Sequence, residues 1–191
     1  AISGQSNQEA STPAWVMRAA TSRFGSFDLD VCALPSNAKA PRLVGPPSMY
    51  AVERGLGGLV AVDGLVSYWH AALAWCNPPY SDIAPWVRKA RTEVNAGRCG
   101  RVVMLLPAKP GEGWFQREVW GSAAEIVFLS GRIRFDGYGH AAPGPSFGSC
   151  FVVVAPRPVW APSFARMDLG PWRPKRGRKA QPDMFAAAVP A

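Results

Sequence analysis

The residues best suited to chemistry form one short run, Asn77-Pro78-Pro79-Tyr80, directly after the apolar residues 73–76. The amide oxygen of Asn77 can accept a hydrogen bond from an amino group. The two prolines fix the backbone and lack an N–H, so the Pro78 carbonyl can turn outward as a second acceptor. The ring of Tyr80 offers a face on which a base can stack, an interaction of about 1–3 kcal/mol in single-strand binding sites. The run therefore predicts a receptor for a planar ring with an exocyclic amino group.

Such a receptor suits methyl transfer to an amino nitrogen. The N6 lone pair of adenine is delocalised into the ring, and two acceptors that hold the N6 hydrogens would push the nitrogen toward tetrahedral geometry and expose the lone pair. A sulfonium compound would be a suitable methyl donor. The reaction needs no metal, cysteine nucleophile or strong base, which agrees with a chain that has two histidines. The target base would have to leave its stack to reach the receptor.

Apolar runs of strand length alternate with amphipathic stretches of helix length around this run. The alternation predicts a single α/β domain with a largely parallel central sheet. Strands are predicted at residues 27–33, 59–62, 73–76, 102–106, 125–129 and 151–154, with a short helix at 112–120. Asn77 directly follows the third strand, and in such folds ligands bind at the carboxyl ends of strands. A strand-terminating turn without further function is the alternative, since Asn and Pro favour turns.

Two longer helices are predicted beside these strands. Thr12 has the character of an N-cap, and Pro13 that of the first helical residue. Ser81 or Asp82 is expected to cap the second helix, which has Pro85 in its first turn, where a missing N–H does little harm. The run around Asn77 would thus lie between a buried strand and a capped helix, and this context favours the functional interpretation.

The composition sets the limits of the domain and its class of partner. The 191 residues fit one domain at 12–156, between a flexible N-terminus, 1–11, and a flexible tail rich in Pro, Arg and Lys, 157–191. The net charge of +8 and the pI near 9.8 favour nucleic acid as a partner, because clustered Lys and Arg release counterions from phosphates. A merely soluble basic surface is the alternative.

The four cysteines lie far apart and form no C-x-x-C pair, so we expect reduced core residues of a cytosolic protein. No apolar run reaches the ~18 residues of a membrane span, and the N-terminus lacks the regions of a signal peptide. We therefore expect a cytoplasmic protein that does not bind membranes.

From residue 12 to about residue 154 the chain resembles the phage-type Dam family of DNA N6-adenine methyltransferases, in stretches of matching order and spacing. These stretches are TPAW (12–15), FDLDVCALPSNAKAPR (27–42), DGL (63–65), WCNPPYSDIAPWVRKA (75–90), VVMLLPA (102–108), WF (114–115), AEIVFLSGRIRF (124–135) and PSFGSCFVVV (145–154). The resemblance implies a Rossmann-like methyltransferase fold, S-adenosylmethionine as donor and adenine in DNA as acceptor. It also implies action in a bacterial host cell or its nucleoid, where methylation would protect an invading phage genome from host restriction nucleases.

The resemblance assigns roles to residues that match the family's motifs. The catalytic motif is matched by Asn77, Pro78, Pro79 and Tyr80. Thr12 and Pro13 match the N-terminal segment that lines the cofactor pocket. Asp30 matches the acid at the end of the first cofactor-binding strand, and Asp63 matches the acid near the cofactor's adenine. Ordinary turns would also explain Asp30 and Asp63.

Two departures from the family's pattern concern the pocket and a neighbouring loop. No G-x-G follows Asp30, so the segment 32–37, which begins with Cys32, must shape the cofactor pocket in another way. Cys32 is therefore included among the cofactor-binding residues. Lys109 and Pro110 stand where an Arg-Thr pair is expected, so this loop is predicted to contact DNA in an altered way.

Residues 131–135 alternate basic and apolar side chains as a strand does. This alternation would place Arg132 and Arg134 on one face, where they could hold phosphates. A solvated face of the sheet is the alternative. The loop at 136–149, rich in Gly, Pro and aromatic residues, is a candidate for base contact or for a lid.

Two features of the C-terminal tail suggest partners. The run RPKRGRK at 173–179 would form a nonspecific, salt-sensitive DNA tether, or only a solvated tail, through Lys175, Arg176 and Arg178. The peptide QPDMF, from Gln181 to Phe185, is similar to the short peptides that bind the bacterial sliding clamp.

Together these observations predict an S-adenosylmethionine-dependent DNA adenine-N6 methyltransferase that acts without an attached nuclease. Little length remains for a target-recognition domain, so a short or relaxed recognition sequence is expected. Cytosine-N4 and glutamine-amide methyltransferases would use the same receptor, although the resemblance disfavours the first and the basic charge the second. A catalytically silent DNA-binding module of the same fold is the alternative from another class. Target sequence, strand preference and oligomeric state do not follow from the sequence.

Overall fold

Eight strands lie side by side in one sheet in the part of the chain that the computed structural model describes, residues 11–34, 36–44, 59–61, 63–135, 146–156 and 163–167. The strands are β1 (Leu29–Asp30), β2 (Arg42–Val44), β3 (Leu59–Ala61), β4 (Ala71–Cys76), β5 (Cys99–Pro107), β6 (Glu125–Leu129), β7 (Ser149–Val154) and β8 (Ser163–Met167). The helices are α1 (Ala14–Phe24), α2 (Ala84–Asn95) and a π-helix at Phe115–Val119. None of the helices within these ranges has the length and hydropathy to cross a membrane.

The strands are arranged in the order β3-β2-β1-β4-β5-β7-β6-β8. Every neighbouring pair from β3 to β5 is parallel, whereas β7 is antiparallel to both β5 and β6, and β8 is again parallel to β6. The predicted α/β fold with a largely parallel sheet is therefore confirmed, and it is Rossmann-like. From β1 the chain moves outward to β2 and β3 and then returns to β4 on the other side of β1. The boundary between β1 and β4 is thus the topological switch point, where such folds bind ligands.

Two apolar layers cover the sheet, because side chains alternate between its faces along each strand. In β4, Leu73 and Trp75 pack with α1, while Ala74 and Cys76 pack with α2. The strand is fully buried over its last four residues. The residue that follows it, Asn77, is therefore attached to a strand that is held by packing on both faces.

The first helix begins one residue later than the sequence pattern predicts. Its first residue is Ala14, and Pro13 rather than Thr12 is the N-cap. The Pro13 carbonyl accepts the N–H of Val16 at 3.0 Å, and no side chain caps the helix. Thr12 is not available as a cap because its hydroxyl contacts another element.

The second helix also lacks the predicted cap. It begins at Ala84 after Ile83, and neither Ser81 nor Asp82 caps it. Ile83 is buried and anchors the first turn by packing. Pro85 lies in that turn as predicted, which leaves one N–H fewer to satisfy.

Further differences from the sequence expectations concern the strands and a helix. The strand expected at 27–33 is reduced to Leu29–Asp30, because the chain turns after Asp30 into a loop. Residues 131–135 are not a strand, and the helix expected at 112–120 is the shorter π-helix. Conversely, Ser163–Met167 forms β8 within the segment that was expected to be a tail. Because β8 is a partly exposed edge strand, its sequence has no apolar period from which a strand could be predicted. The four cysteines are free, as predicted, and three are buried.

Candidate active site

The carboxyl ends of β1 and β4 lie side by side at the switch point, where Asp30 pairs in register with Trp75, two residues before Asn77. A recess opens at this point. It is lined by residues from the N-terminal segment, the loop after β1 and the end of β4, namely Ser11, Thr12, Asp30, Cys32, Asn37, Lys39, Trp75 and Asn77. The fold thus brings together four residues that the sequence singled out: Thr12, Asp30, Cys32 and Asn77.

The two ends of the Asn77 amide differ in their surroundings. Its Nδ2 donates a hydrogen bond to Oγ1 of Thr12 at 3.2 Å. Its Oδ1 is shielded from solvent and accepts no hydrogen bond from the described part of the chain. A buried acceptor without a donor destabilises a fold by about 1–3 kcal/mol, and such groups are rare outside functional sites. The amide oxygen is therefore poised for a donor that comes from outside the described residues.

The rest of the Asn77 run is held in place around it. Pro78 is buried, and the Pro79 carbonyl accepts the N–H of Asp82 at 3.4 Å. No backbone N–H of the described residues donates to the Pro78 carbonyl. The hydroxyl of Tyr80 donates to the carbonyl of Leu105 in β5 at 3.3 Å. The run is thus joined to the central sheet at both ends.

The ring of Tyr80 lies in an aromatic cluster. Phe135 and Phe147 contact it edge to face, with ring centroids 6.0 and 5.8 Å away. These two residues flank the part of the chain, 136–145, that lies outside the described residues. The phenol ring expected beside Asn77 is therefore positioned by Phe135, from the segment 131–135, and by Phe147, from the loop 136–149 that the sequence singled out for base contact.

Asp30 shapes the loop after β1 in the absence of a glycine-rich turn. Its Oδ1 accepts the N–H of Cys32 at 3.2 Å, and its Oδ2 accepts the N–H of Lys39 at 2.9 Å. Within the loop, Oδ1 of Asn37 accepts the N–H of Leu34 at 2.8 Å. Hydrogen bonds to side-chain oxygens therefore fix the conformation of this loop, whereas in a G-x-G loop the glycine backbone does so.

Burial also changes the acidity of groups in the recess. Burial raises the pKa of Asp30 to about 6, although the N–H groups of Lys39 and Cys32 oppose the rise. The pKa of the Cys32 thiol is raised to about 12 by burial and by the charges of Asp30 and Asp63. Cys32 is therefore a neutral wall residue, whereas Asp30 changes its charge near neutral pH.

Lys39 and Trp75 line the recess but were missed by the sequence analysis. The ammonium of Lys39 donates to Oγ of Ser11 at 2.7 Å, and Lys39 provides the cationic side chain among the lining residues. The indole N–H of Trp75 is buried and has no acceptor within the described ranges. Both residues belong to stretches that matched the family pattern, NAK and WCNPPY. Their position in these stretches was the signal from which a role in the site could have been predicted.

Asp63 and Pro13, two of the expected cofactor residues, do not line the recess. Asp63 is exposed and closes a turn, with its Oδ1 accepting the N–H of Leu65 at 2.8 Å. The next residue, Gly64, lies so close to the loop after β1 that an added Cβ would be 2.3 Å from the Val31 carbonyl oxygen. The turn that contains Asp63 therefore packs closely against the loop after β1, which forms one wall of the recess. Pro13 serves as the N-cap of α1.

The basic residues expected to bind DNA lie beyond the other side of Tyr80. Arg132 and Arg134 are exposed and alternate with the buried Ile133 and Phe135, so the predicted alternation holds although the segment is not a strand. Phe135 contacts Tyr80, which places this segment next to the Asn77 run.

Lys109 is close by but already has a partner. Its ammonium is paired with Glu112 at 2.6 Å and lies 5.6 Å from the ring centroid of Phe147. The remaining predicted DNA-binding residues, Lys175, Arg176 and Arg178, and the peptide from Gln181 to Phe185 lie outside the described residues.

Comparison with known proteins decides the family. Residues 4–163 match the family model described as DNA N-6-adenine-methyltransferase (Dam). The chain belongs to this Dam family. It is 32% identical over 126 residues to the DNA N-6-adenine-methyltransferase of Haemophilus phage HP1 (strain HP1c1), covering 65% of the chain and 64% of that relative. It is 29% identical over 127 residues to the DNA N-6-adenine-methyltransferase of Escherichia phage T1, covering 66% of the chain and 46% of that relative.

The chain therefore spans less than two thirds of the length of either phage relative. It is also similar to a solved structure described as an RNA methyltransferase from Pyrococcus horikoshii, with a TM-score of 0.46 and 12% identity over 74% of this chain and 78% of that one. The Dam family match includes every residue that lines the recess and both exposed arginines, Arg132 and Arg134.

Proposed function

We propose that this member of the Dam family transfers a methyl group from S-adenosylmethionine to the N6 amino group of adenine in DNA. The observation that carries the proposal is the Asn77 amide oxygen, which is buried, lacks a donor among the described residues and stands at the switch point beside a polar recess. An exocyclic amino group supplies the missing donor. The names of the two phage relatives support adenine as the base.

The groups around the recess fit S-adenosylmethionine, which carries a carboxylate as well as positively charged groups. Lys39 would hold the carboxylate, together with the indole N–H of Trp75, and Asp30 would hold a positively charged group. Cys32 would form an uncharged part of the wall, and Asp63 is proposed to lie near the adenine of the cofactor. When bound, the cofactor supplies an electrophilic methyl group.

Asn77 and Pro78 would prepare the target base. Oδ1 of Asn77 and the carbonyl of Pro78 would each accept one hydrogen of N6, and no backbone N–H of the described residues competes for the Pro78 carbonyl. Held in this way, the nitrogen becomes pyramidal and its lone pair leaves the ring system. After alkylation the nitrogen is far more acidic, so it can release its proton to water without a strong base. Tyr80, held by Leu105, would stack on the base.

The DNA backbone is proposed to lie along the exposed cations beside Tyr80. Arg132 and Arg134 are free of the apolar core and would contact phosphates without reading the sequence. Lys109 would join them by exchanging Glu112 for a phosphate. The overall charge of +8 supports a polyanion as the partner.

The first test is to detect the product. The purified chain would be incubated with plasmid DNA and S-adenosylmethionine, and the DNA digested to nucleosides for mass spectrometry. We expect N6-methyladenine, and we expect it to disappear in Asn77→Ala. N4-methylcytosine instead would identify the alternative base.

A second measurement separates an inactive enzyme from a silent DNA-binding module. Calorimetry with S-adenosylmethionine should show binding to the wild-type chain. No binding heat and no methylated base, from folded protein, would favour the silent module. Cofactor binding without a methylated base would indicate that the methyl group goes to an amino or amide nitrogen of a molecule other than DNA.

The tail and the recognition sequence stay predictions. Deleting residues 171–191 should weaken DNA binding and flatten its dependence on salt, since five cations that include Lys175 would be lost. An unchanged slope of affinity against salt would rule out the tether. The clamp-binding prediction is tested by measuring whether a peptide from Gln181 to Phe185 binds purified sliding clamp. Methylation mapping tests whether the recognition sequence is short or relaxed.

A further inference from the structure

We infer that Thr12 is a positioning residue for Asn77, holding the amide so that its oxygen rather than its nitrogen meets the amino group of the target base. The inference rests on the proposed function and adds a residue to it. Thr12 would thus act on the catalytic amide in addition to lining the recess.

The contact on which the inference rests is partly buried. Oγ1 of Thr12 accepts from Nδ2 of Asn77 at 3.2 Å, and Thr12 is 2% exposed. Thr12 immediately precedes Pro13, the N-cap of α1, while Asn77 immediately follows β4. Both ends of the hydrogen bond are therefore attached to packed elements.

An orienting contact is needed because the two ends of an amide have nearly the same shape but opposite hydrogen-bonding character. Rotation about the last side-chain torsion of Asn is broad and roughly two-fold, so packing alone distinguishes the two orientations poorly. The reversed orientation would direct N–H groups toward the N6 hydrogens, where no hydrogen bond can form. A Thr hydroxyl can donate as well as accept, and in this structure the Thr12 hydroxyl accepts from Nδ2, so it holds the amide in the orientation in which Oδ1 stays available.

The decisive experiment compares Thr12→Val, which keeps the shape but removes the acceptor, with Thr12→Ser, which keeps the acceptor. For Thr12→Val we expect kcat at saturating DNA and S-adenosylmethionine to fall roughly tenfold, the typical consequence of losing one neutral hydrogen bond. The dissociation constant for S-adenosylmethionine, measured by calorimetry, should stay within about twofold, and Thr12→Ser should restore most of the lost turnover. Thr21→Val, an exposed change in α1, is the matched control and should leave kcat unaltered.

The possible outcomes separate this inference from its alternatives. An unchanged kcat with weaker cofactor binding in Thr12→Val would show a role toward the cofactor alone and overturn the inference. A lower melting temperature with full kcat would show a merely structural contact and also overturn it. A wild-type chain that makes no methylated base would overturn the proposed function and this inference with it.

A measurement on the wild-type chain covers the case in which Thr12→Val does not fold. In a nitrogen-15 spectrum, the Asn77 side-chain amide is assigned by its loss in Asn77→Ala. We expect slow hydrogen exchange at that amide and a nuclear Overhauser contact to the Thr12 methyl group. An amide that exchanges as fast as an exposed one would contradict the inference.

Discussion

The two halves of the sheet present different surfaces at the carboxyl edge. The half formed by β3, β2, β1 and β4 presents a recess whose polar groups are enclosed, with Asp30 at 2% exposure and Thr12 likewise buried. Beyond β5, the half formed by β7, β6 and β8 presents exposed cations, Arg132 and Arg134, on an extended segment anchored by buried Ile133 and Phe135. The Asn77 run lies between the two.

This difference follows from what each half is proposed to bind. A small ligand is selected by enclosed groups that are already hydrogen-bonded in place, because each group then meets one ligand atom without reorganisation. A long polyanion gains its affinity from counterion release, which needs exposed charge and no pocket. On the proposed function, the parallel half holds the cofactor and the antiparallel half contacts DNA, so each can be changed separately.

The largest effect is expected from Asp30→Asn, which should impair the cofactor half alone. The change removes the carboxylate that accepts from Cys32 and Lys39, so the loop loses its shape and the recess its negative charge. We expect S-adenosylmethionine affinity to fall about 10- to 100-fold, the range for hydrogen bonds to charged groups, with DNA affinity unchanged. Calorimetry and fluorescence anisotropy measure the two.

Asp28→Asn is the matched control for this change. Asp28 lies at the other end of β1, where its carboxylate accepts the N–H groups of Ala72 and Leu73 at 3.0 and 3.1 Å. It should lower stability without a comparable loss of cofactor affinity. Equal losses of cofactor affinity in both variants would show that Asp30 acts only through the fold.

The next effect concerns the other half. Removing Arg132 and Arg134 together should weaken DNA binding roughly tenfold at physiological salt, with the slope of log affinity against log salt reduced by about 1.8. Cofactor affinity should not change. Arg23→Ala, which removes a cation paired with Glu125 at the opposite edge of the sheet, should leave the slope almost unaltered. A full slope in the double variant would place the DNA elsewhere.

A several-fold effect of pH is expected in the cofactor half. The pKa of Asp30 is raised from 3.8 to about 6, so the folded chain keeps this proton to higher pH than the unfolded chain. The stability of the cofactor-free chain should therefore fall as the pH rises from about 4 through 6. Cofactor affinity should rise over pH 5 to 7, because an ionised Asp30 attracts a cationic ligand. Isothermal titrations of wild type and Asp30→Asn test this, since the variant should show no such step.

The smallest effect on cofactor and DNA affinity is expected from Glu93→Gln. This change should lower stability alone, so it tests whether the two binding surfaces are independent of α2. Glu93 is fully buried in α2 and accepts from Arg98 and Lys89 at 2.7 and 2.6 Å and from the Trp69 N–H at 3.0 Å. Burial opposes its ionisation, but these hydrogen bonds outweigh burial and lower its pKa from 4.5 to about 2.

Because the folded pKa of Glu93 is lowered, its contribution to stability is present above about pH 4.5 and is lost as the pH falls toward 2. Glu93→Gln should lower the free energy of unfolding by about 2 kcal/mol at pH 7 and remove this part of the acid sensitivity. Urea unfolding at pH 7 and pH 3 measures both. At temperatures where the variant is folded, its affinities for cofactor and DNA should equal those of wild type; a loss of either would mean that α2 reaches the recess.

The sequence predicted β4 and β5 well because they contain short continuous apolar runs, 73–76 and 102–106. It failed where a tertiary contact replaced a local signal. The residues that follow Thr12 predict that it caps a helix, but its hydroxyl instead accepts a hydrogen bond from the Asn77 amide. β8 has no apolar period, since it is a partly exposed edge strand held by its hydrogen bonds to β6.

Residue types and short spacings determined the groups on which the proposed chemistry depends: an amide after a buried strand, two prolines without N–H groups, and an acid after the first strand. These are local properties, because strand burial and backbone restriction act over a few residues. Only the tertiary structure decided which groups meet. Thr12 and Asn77 are 65 residues apart, and Lys39 and Ser11 are 28 apart. Such contacts depend on the order of strands in the sheet, which no local pattern encodes.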